Sequence, residues 1–81
     1  MKLPREISGR SLARLLERYA YRITRQTGSH IRLTTNLNGE HHVTIPDHTD
    51  LKIGTLSGIL ADIAGHLQKE KAEVIDALFN R

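Results

Sequence analysis

The run YRITRQ-TGS-HIRLTT-NLNGE-HHVTI, residues 21–45, holds three short segments of alternating apolar and polar side chains, separated by two breaks containing Gly, Asn or Ser. Alternation with period two marks a half-buried strand, and Gly and Asn supply the positive φ that tight hairpins need. Tyr21 to Gln26, His30 to Thr35 and His41 to Ile45 therefore read as a three-stranded antiparallel meander. Alternation sends Tyr21, Ile23, Ile31, Leu33, Val43 and Ile45 to one face. Arg22, Thr24, His30, Arg32, Thr34, His42 and Thr44 go to the other, which is polar, basic and open to water.

Outward from the meander the period changes to that of a helix. On the N-terminal side Leu12, Leu15, Leu16 and Tyr19 fall at i, i+3, i+4 and i+7, predicting a helix over about 9–19 with Ser8 as N-cap. Arg10, Arg14 and Arg18 repeat every fourth residue on its opposite side. On the C-terminal side Pro46 ends the ladder and Asp47 to Asp50 make a turn. Thr55 then caps a helix that buries Leu56, Ile59, Leu60, Ile63 and Leu67. Gly58 and Gly65 weaken that helix by about 1 kcal/mol each relative to Ala, so tertiary packing must hold it, or a close approach requires them. A last helix over 69–79 places Ala72, Ile75, Leu78 and Phe79 on one face. The order is α-β-β-β-α-α, an α+β fold in which the helices pack on one face of the sheet.

At 81 residues the chain has room for one core, so 1–81 reads as a single domain with the 69–79 helix appended. The net charge is +3 and the pI about 9.7, but the charge is divided unevenly. Residues 1–32 hold Lys2, Arg5, Arg10, Arg14, Arg18, Arg22, Arg25 and Arg32 against only Glu6 and Glu17, which leaves residues 33–81 net acidic. Such a split points to a polyanionic partner for the first half. The chain lacks cysteine, which excludes disulfides, thiolate metal sites and thiol catalysis. No apolar run approaches the ~20 residues a membrane span needs, and the polar start lacks a signal-peptide core, so the expected location is the cytoplasm.

Chemistry is concentrated on the uncovered face. His30 opens the second strand directly after Gly28-Ser29, with Arg32 beside it and Arg22 and His42 as cross-ladder candidates. An imidazole suits general acid or base work near neutral pH, and guanidinium groups hold phosphate. From composition and spacing alone, a histidine at a strand start is more often a surface residue than a catalyst, and an arginine row is most often a solvated helix face. His41 and His42 are adjacent on a strand and point apart, so together with His48 they do not form a zinc site. His48 is expected to hydrogen-bond a loop carbonyl and His66 to interact with a helix C-terminus. The acids lie on helix exteriors and in a turn, away from any paired-carboxylate arrangement. No metal and no cofactor is expected.

The run Arg25-Gln26-Thr27-Gly28-Ser29-His30, then Val43-Thr44-Ile45-Pro46-Asp47-His48, then Gly54-Thr55-Leu56 with Ile59-Leu60, resembles the HicA (YcfA-like) mRNA interferase toxins of type II toxin–antitoxin systems. The opening LPREISGR, residues 3–10, resembles a common start in that family. The resemblance implies a fold akin to the double-stranded-RNA-binding domain (dsRBD-like) and a metal-independent endoribonuclease whose catalytic histidine falls on His30. It also implies an mRNA substrate and a HicB-type antitoxin as partner. Arg22, Arg25, Ser29, Arg32 and His42 are the accompanying candidates for RNA binding. Where the family usually has glycine between the first helix and first strand, this chain has Ala20. Before the long helix it offers only Lys52, where a duplex-binding module would present a basic cluster, so single-stranded message is the expected substrate. The alternatives are a non-catalytic RNA-binding module and a protein-interaction subunit whose arginine row docks an acidic partner.

Overall fold

The computed structural model describes residues 3–80. The first helix, α1 (Gly9–Leu15), starts where Ser8 Oγ accepts the Ser11 N–H at 3.0 Å. It tightens into a 3₁₀ turn over Leu16–Tyr19, which ends at Ala20 in the left-handed region, φ +64°. The cap position expected from the sequence is thus occupied by a residue that bears a Cβ cost there. Leu12, Leu16 and Tyr19 are buried as expected, whereas Leu15 is half-buried and Ala13 joins the core.

Strands β1 (Arg22–Thr27), β2 (His30–Thr35) and β3 (His41–Pro46) form an antiparallel sheet in the order β1-β2-β3. Tyr21, Ile31, Leu33, Val43 and Ile45 are buried on the helix side. Ile23 belongs to that side, opposite Leu33, yet is 49% exposed. The exposure has a plain cause: α1 and α2 (Ile53–Leu67) pack against β3, and β1 is the edge strand farthest from them. On the other face Arg22, Thr24, His30, Arg32, His42 and Thr44 are exposed, as the alternation predicts.

Helix α2 begins two residues before Thr55, with Lys52 as N-cap and no side-chain cap. The buried Leu51 donates its N–H to Ile7 O at 2.9 Å, and this anchorage starts the helix before the hydroxyl is reached. Gln68, at φ +57°, and the Lys69 N–H bonding Ala64 O close α2, so Lys69 belongs to that cap rather than to α3 (Lys71–Phe79). The α3 stripe is Val74, Ile75 and Leu78, with Ala72 exposed and Phe79 half-buried. In a helix this short the sequence admits two phases, and packing on α2 selects the one containing Val74. All three residues join the same core cluster as Leu12, Ile31 and Leu60. No helix among the described residues is long and apolar enough to cross a membrane.

Candidate active site on the open sheet face

Thr27 pairs with His30, so Gly28 and Ser29 form a two-residue hairpin turn, with Gly28 at φ +55° in the region that favours glycine. This puts His30 at the first position of β2, opposite Pro46 on β3. Its imidazole is exposed and, among the described residues, takes part in no hydrogen bond or ion pair. Both ring nitrogens are therefore available to a substrate.

The backbone around this ring is braced. The Asp47 N–H donates to Ser29 O at 2.7 Å, and Asp47 Oδ2 accepts from Arg10 Nη2 at 3.2 Å and Gln26 Nε2 at 3.4 Å. The Gly9 N–H donates to His48 O at 2.9 Å. A Cβ on Gly9 would lie 2.1 Å from Pro46 O, so the start of α1 sits directly against the strand end facing His30. Pro46-Asp47-His48 thus links α1, the hairpin and β3. From the sequence Asp47 reads as a turn acid and Gly9 as the start of a helix; neither position carries a periodic signal for these contacts, because each works through a partner distant in sequence.

Pairing arranges the face in rows. Thr27, His30 and Pro46 form the first; Arg25, Arg32 and Thr44 the second; Arg22, Thr34 and His42 the third. Adjacent rows are ~7 Å apart, two residues along a strand. His30 is thus one row from Arg25 and Arg32. Arg22 and His42 lie two rows away, so the suggestion that they neighbour His30 does not hold. His42 is also engaged, with Nδ1 2.8 Å from Thr34 Oγ1 and Nε2 2.9 Å from Glu40 Oε2. The Ser29 side chain is exposed in the turn beside His30.

The other histidines have structural partners or none. His41 faces away from His42, as expected, and places Nδ1 2.8 Å from Tyr21 Oη and Nε2 3.2 Å from Asp62 Oδ1. It stacks on His66 with centroids 4.3 Å apart. Burial, with a smaller contribution from the Asp62 charge, pushes the Tyr21 hydroxyl up to about 12. His66 stands in the last turn of α2, but its Nε2–H donates to Leu37 O at 2.9 Å and Gly39 O at 3.0 Å, so it fastens the β2–β3 loop. His48 contributes its backbone carbonyl, to Gly9; its ring makes no hydrogen bond to a loop carbonyl among the described residues. Among those residues there is no group of three or more His, Cys, Asp or Glu side chains that could hold a metal ion.

The fold and site together define a small α+β domain that keeps its helices on one side and presents a histidine-and-arginine surface on the other. The family model of the HicA toxin of bacterial toxin–antitoxin systems matches residues 9–64, from the first residue of α1 through most of α2. The chain belongs to the HicA toxin family. No curated protein and no solved structure matches it.

Proposed function

We propose that this protein is a metal-independent endoribonuclease that cleaves single-stranded message as the toxin of a toxin–antitoxin pair, with His30 as its catalytic residue. The observation that carries the reading is the imidazole of His30, without a partner among the described residues and exposed one row from Arg25 and Arg32. His30 takes the proton of a ribose 2′-OH, and O2′ forms a bond to the adjacent phosphorus. The P–O5′ bond breaks and O5′ takes a proton from water, leaving a 2′,3′-cyclic phosphate and a 5′-hydroxyl. Cationic groups offset the charge that builds on the phosphoryl oxygens in the transition state. Arg22, Arg25, Ser29, Arg32 and His42 line the surface over which the strand passes. A HicB-type antitoxin with acidic groups covers this face and blocks access in the cytoplasm, where message is found.

Purified protein and its His30→Ala variant, assayed on single-stranded RNA with chelator present, test the reading. The wild type is expected to cleave, and the variant to lose at least about 100-fold in rate while RNA affinity changes only modestly. Undiminished cleavage by His30→Ala overturns the assignment. Bound but intact RNA with the wild type favours the non-catalytic RNA-binding module instead.

A further inference from the structure

Strict alternation from Tyr21 and Ile23 places Arg25 on the helix side of β1. The structure does not. Ile23 pairs with Leu33 and Arg25 with Arg32, so two steps on β1 oppose one on β2 and Thr24 is the extra residue of a β-bulge. Thr24 Oγ1 holds the bulge, 2.8 Å from Thr34 Oγ1 and donating to Arg32 O at 3.5 Å. The bulge turns Arg25 to the open face, directly across from a second arginine.

Like charges directly opposite on neighbouring strands are destabilising, with Cβ atoms ~5 Å apart. Nothing among the described residues offsets this pair. Among the described residues Asp47 is engaged by Arg10, Glu40 by His42, Asp62 by His41 and Glu73 by Lys69, and neither Arg25 nor Arg32 has a carboxylate within ion-pair distance. Two arginines paired across adjacent strands can bring their guanidinium forks to the oxygens of one phosphate, an anion that also removes their repulsion.

We propose that Arg25 and Arg32, brought together by the Thr24 bulge, form a clamp for a single phosphate group one strand row from His30. The clamp rests on the reading of this face as an RNA site and makes it specific: the arginines of α1 and Arg22 are outside it. Its ligand chemistry is a phosphate monoanion or dianion, and the source is the phosphodiester of a single strand or free phosphate.

Thermal unfolding with inorganic phosphate, against chloride at equal ionic strength, gives the first arm. Phosphate is expected to raise the wild-type Tm, and the Arg25→Gln and Arg32→Gln variants to lose that rise. Arg18→Gln, an equal charge change on the 3₁₀ turn, retains it. Without phosphate, Arg25→Gln unfolds about 1–8 °C higher than wild type, because a repulsion has been removed. A 2′-deoxy oligonucleotide, which cannot form the cyclic product, gives the second arm. Arg25→Gln weakens its binding at least about tenfold, and the double variant is no more than about twofold weaker again, because one anion is held jointly. Binding of the oligonucleotide without a phosphate-specific Tm shift assigns the clamp to the phosphodiester alone. Equal losses in Arg18→Gln, or full additivity in the double variant, overturn the clamp. Arg25→Lys, which keeps the charge and loses the fork, covers the case in which Arg25→Gln does not fold. RNA left intact by a wild type that passes both arms sinks the nuclease reading and spares the clamp; His30-dependent cleavage with both arms failing does the reverse.

Discussion

Tyr21 shows what one side chain does at the far end of the sheet from His30. It is fully buried on the helix side, and its hydroxyl meets His41, which in turn meets Asp62 on α2. With His41 neutral, the donors run in one sense, Tyr21 O–H to Nδ1 and Nε2–H to the carboxylate. Ionising the phenol there would set a negative charge in the interior near Asp62, which is why its pKa lies at about 12 rather than 10.0. Between those values the native state keeps a proton that the unfolded chain has lost, so stability falls as pH rises through this window and is fully present below it. Urea unfolding of wild type against Tyr21→Phe is expected to show a wild-type advantage that shrinks from pH 10 to pH 12. A difference that stays constant across that window shows that the phenol does not titrate as described. The alternation of residues 21–26 put Tyr21 in the core, but nothing local indicated its partner, because His41 and Asp62 are 20 and 41 positions further along the chain.

At the scale of elements, the sequence was legible wherever a period was long or a turn residue was forced. The three strands, the Gly28 turn and the helix-facing rows follow from alternation and glycine chemistry, and His30 takes the uncovered face that its parity assigns it. The bulge at Thr24 was not legible, since an extra residue in RITRQT leaves an equally plausible polar and apolar pattern. Glycine shows the same division. Gly58 and Gly65 admitted two explanations, and the structure selects packing: a Cβ at either would meet nothing within 4 Å. Gly9 is the close approach instead, against Pro46. Substitution should therefore act with opposite signs. Gly58→Ala and Gly65→Ala are each expected to stabilise by about 1 kcal/mol, whereas Gly9→Ala forces apart α1 and the end of β3 and costs about 1–3 kcal/mol. Urea midpoints at unchanged m-value measure all three. A Gly9→Ala protein as stable as wild type would show that the α1–β3 contact is loose, and with it the brace behind His30.

Over the whole molecule the uneven charge of the sequence becomes a spatial separation. Arg22, Arg25 and Arg32 face outward on the sheet, whereas Asp62, Glu70, Glu73 and Asp76 are exposed on or beside α2 and α3. A field of this shape draws a polyanion to the open face and turns it away from α2 and α3, which raises the rate of encounter and makes it sensitive to salt. The size of that sensitivity discriminates between partners. A single strand loses about 0.7 in the slope of log K against log salt for each phosphate neutralised, so one phosphate shared by Arg25 and Arg32 and a second at Arg22 predict a slope of about −1.4. Arg22→Gln and Arg25→Gln should each remove about 0.7 from it, while Arg25→Gln alone also removes the response to inorganic phosphate. Equilibrium binding of an uncleavable single strand over a salt series gives both slopes. A slope near zero, with binding intact, would mean that the strand is held by contacts other than these arginines, and the basic face would then be left to a protein partner.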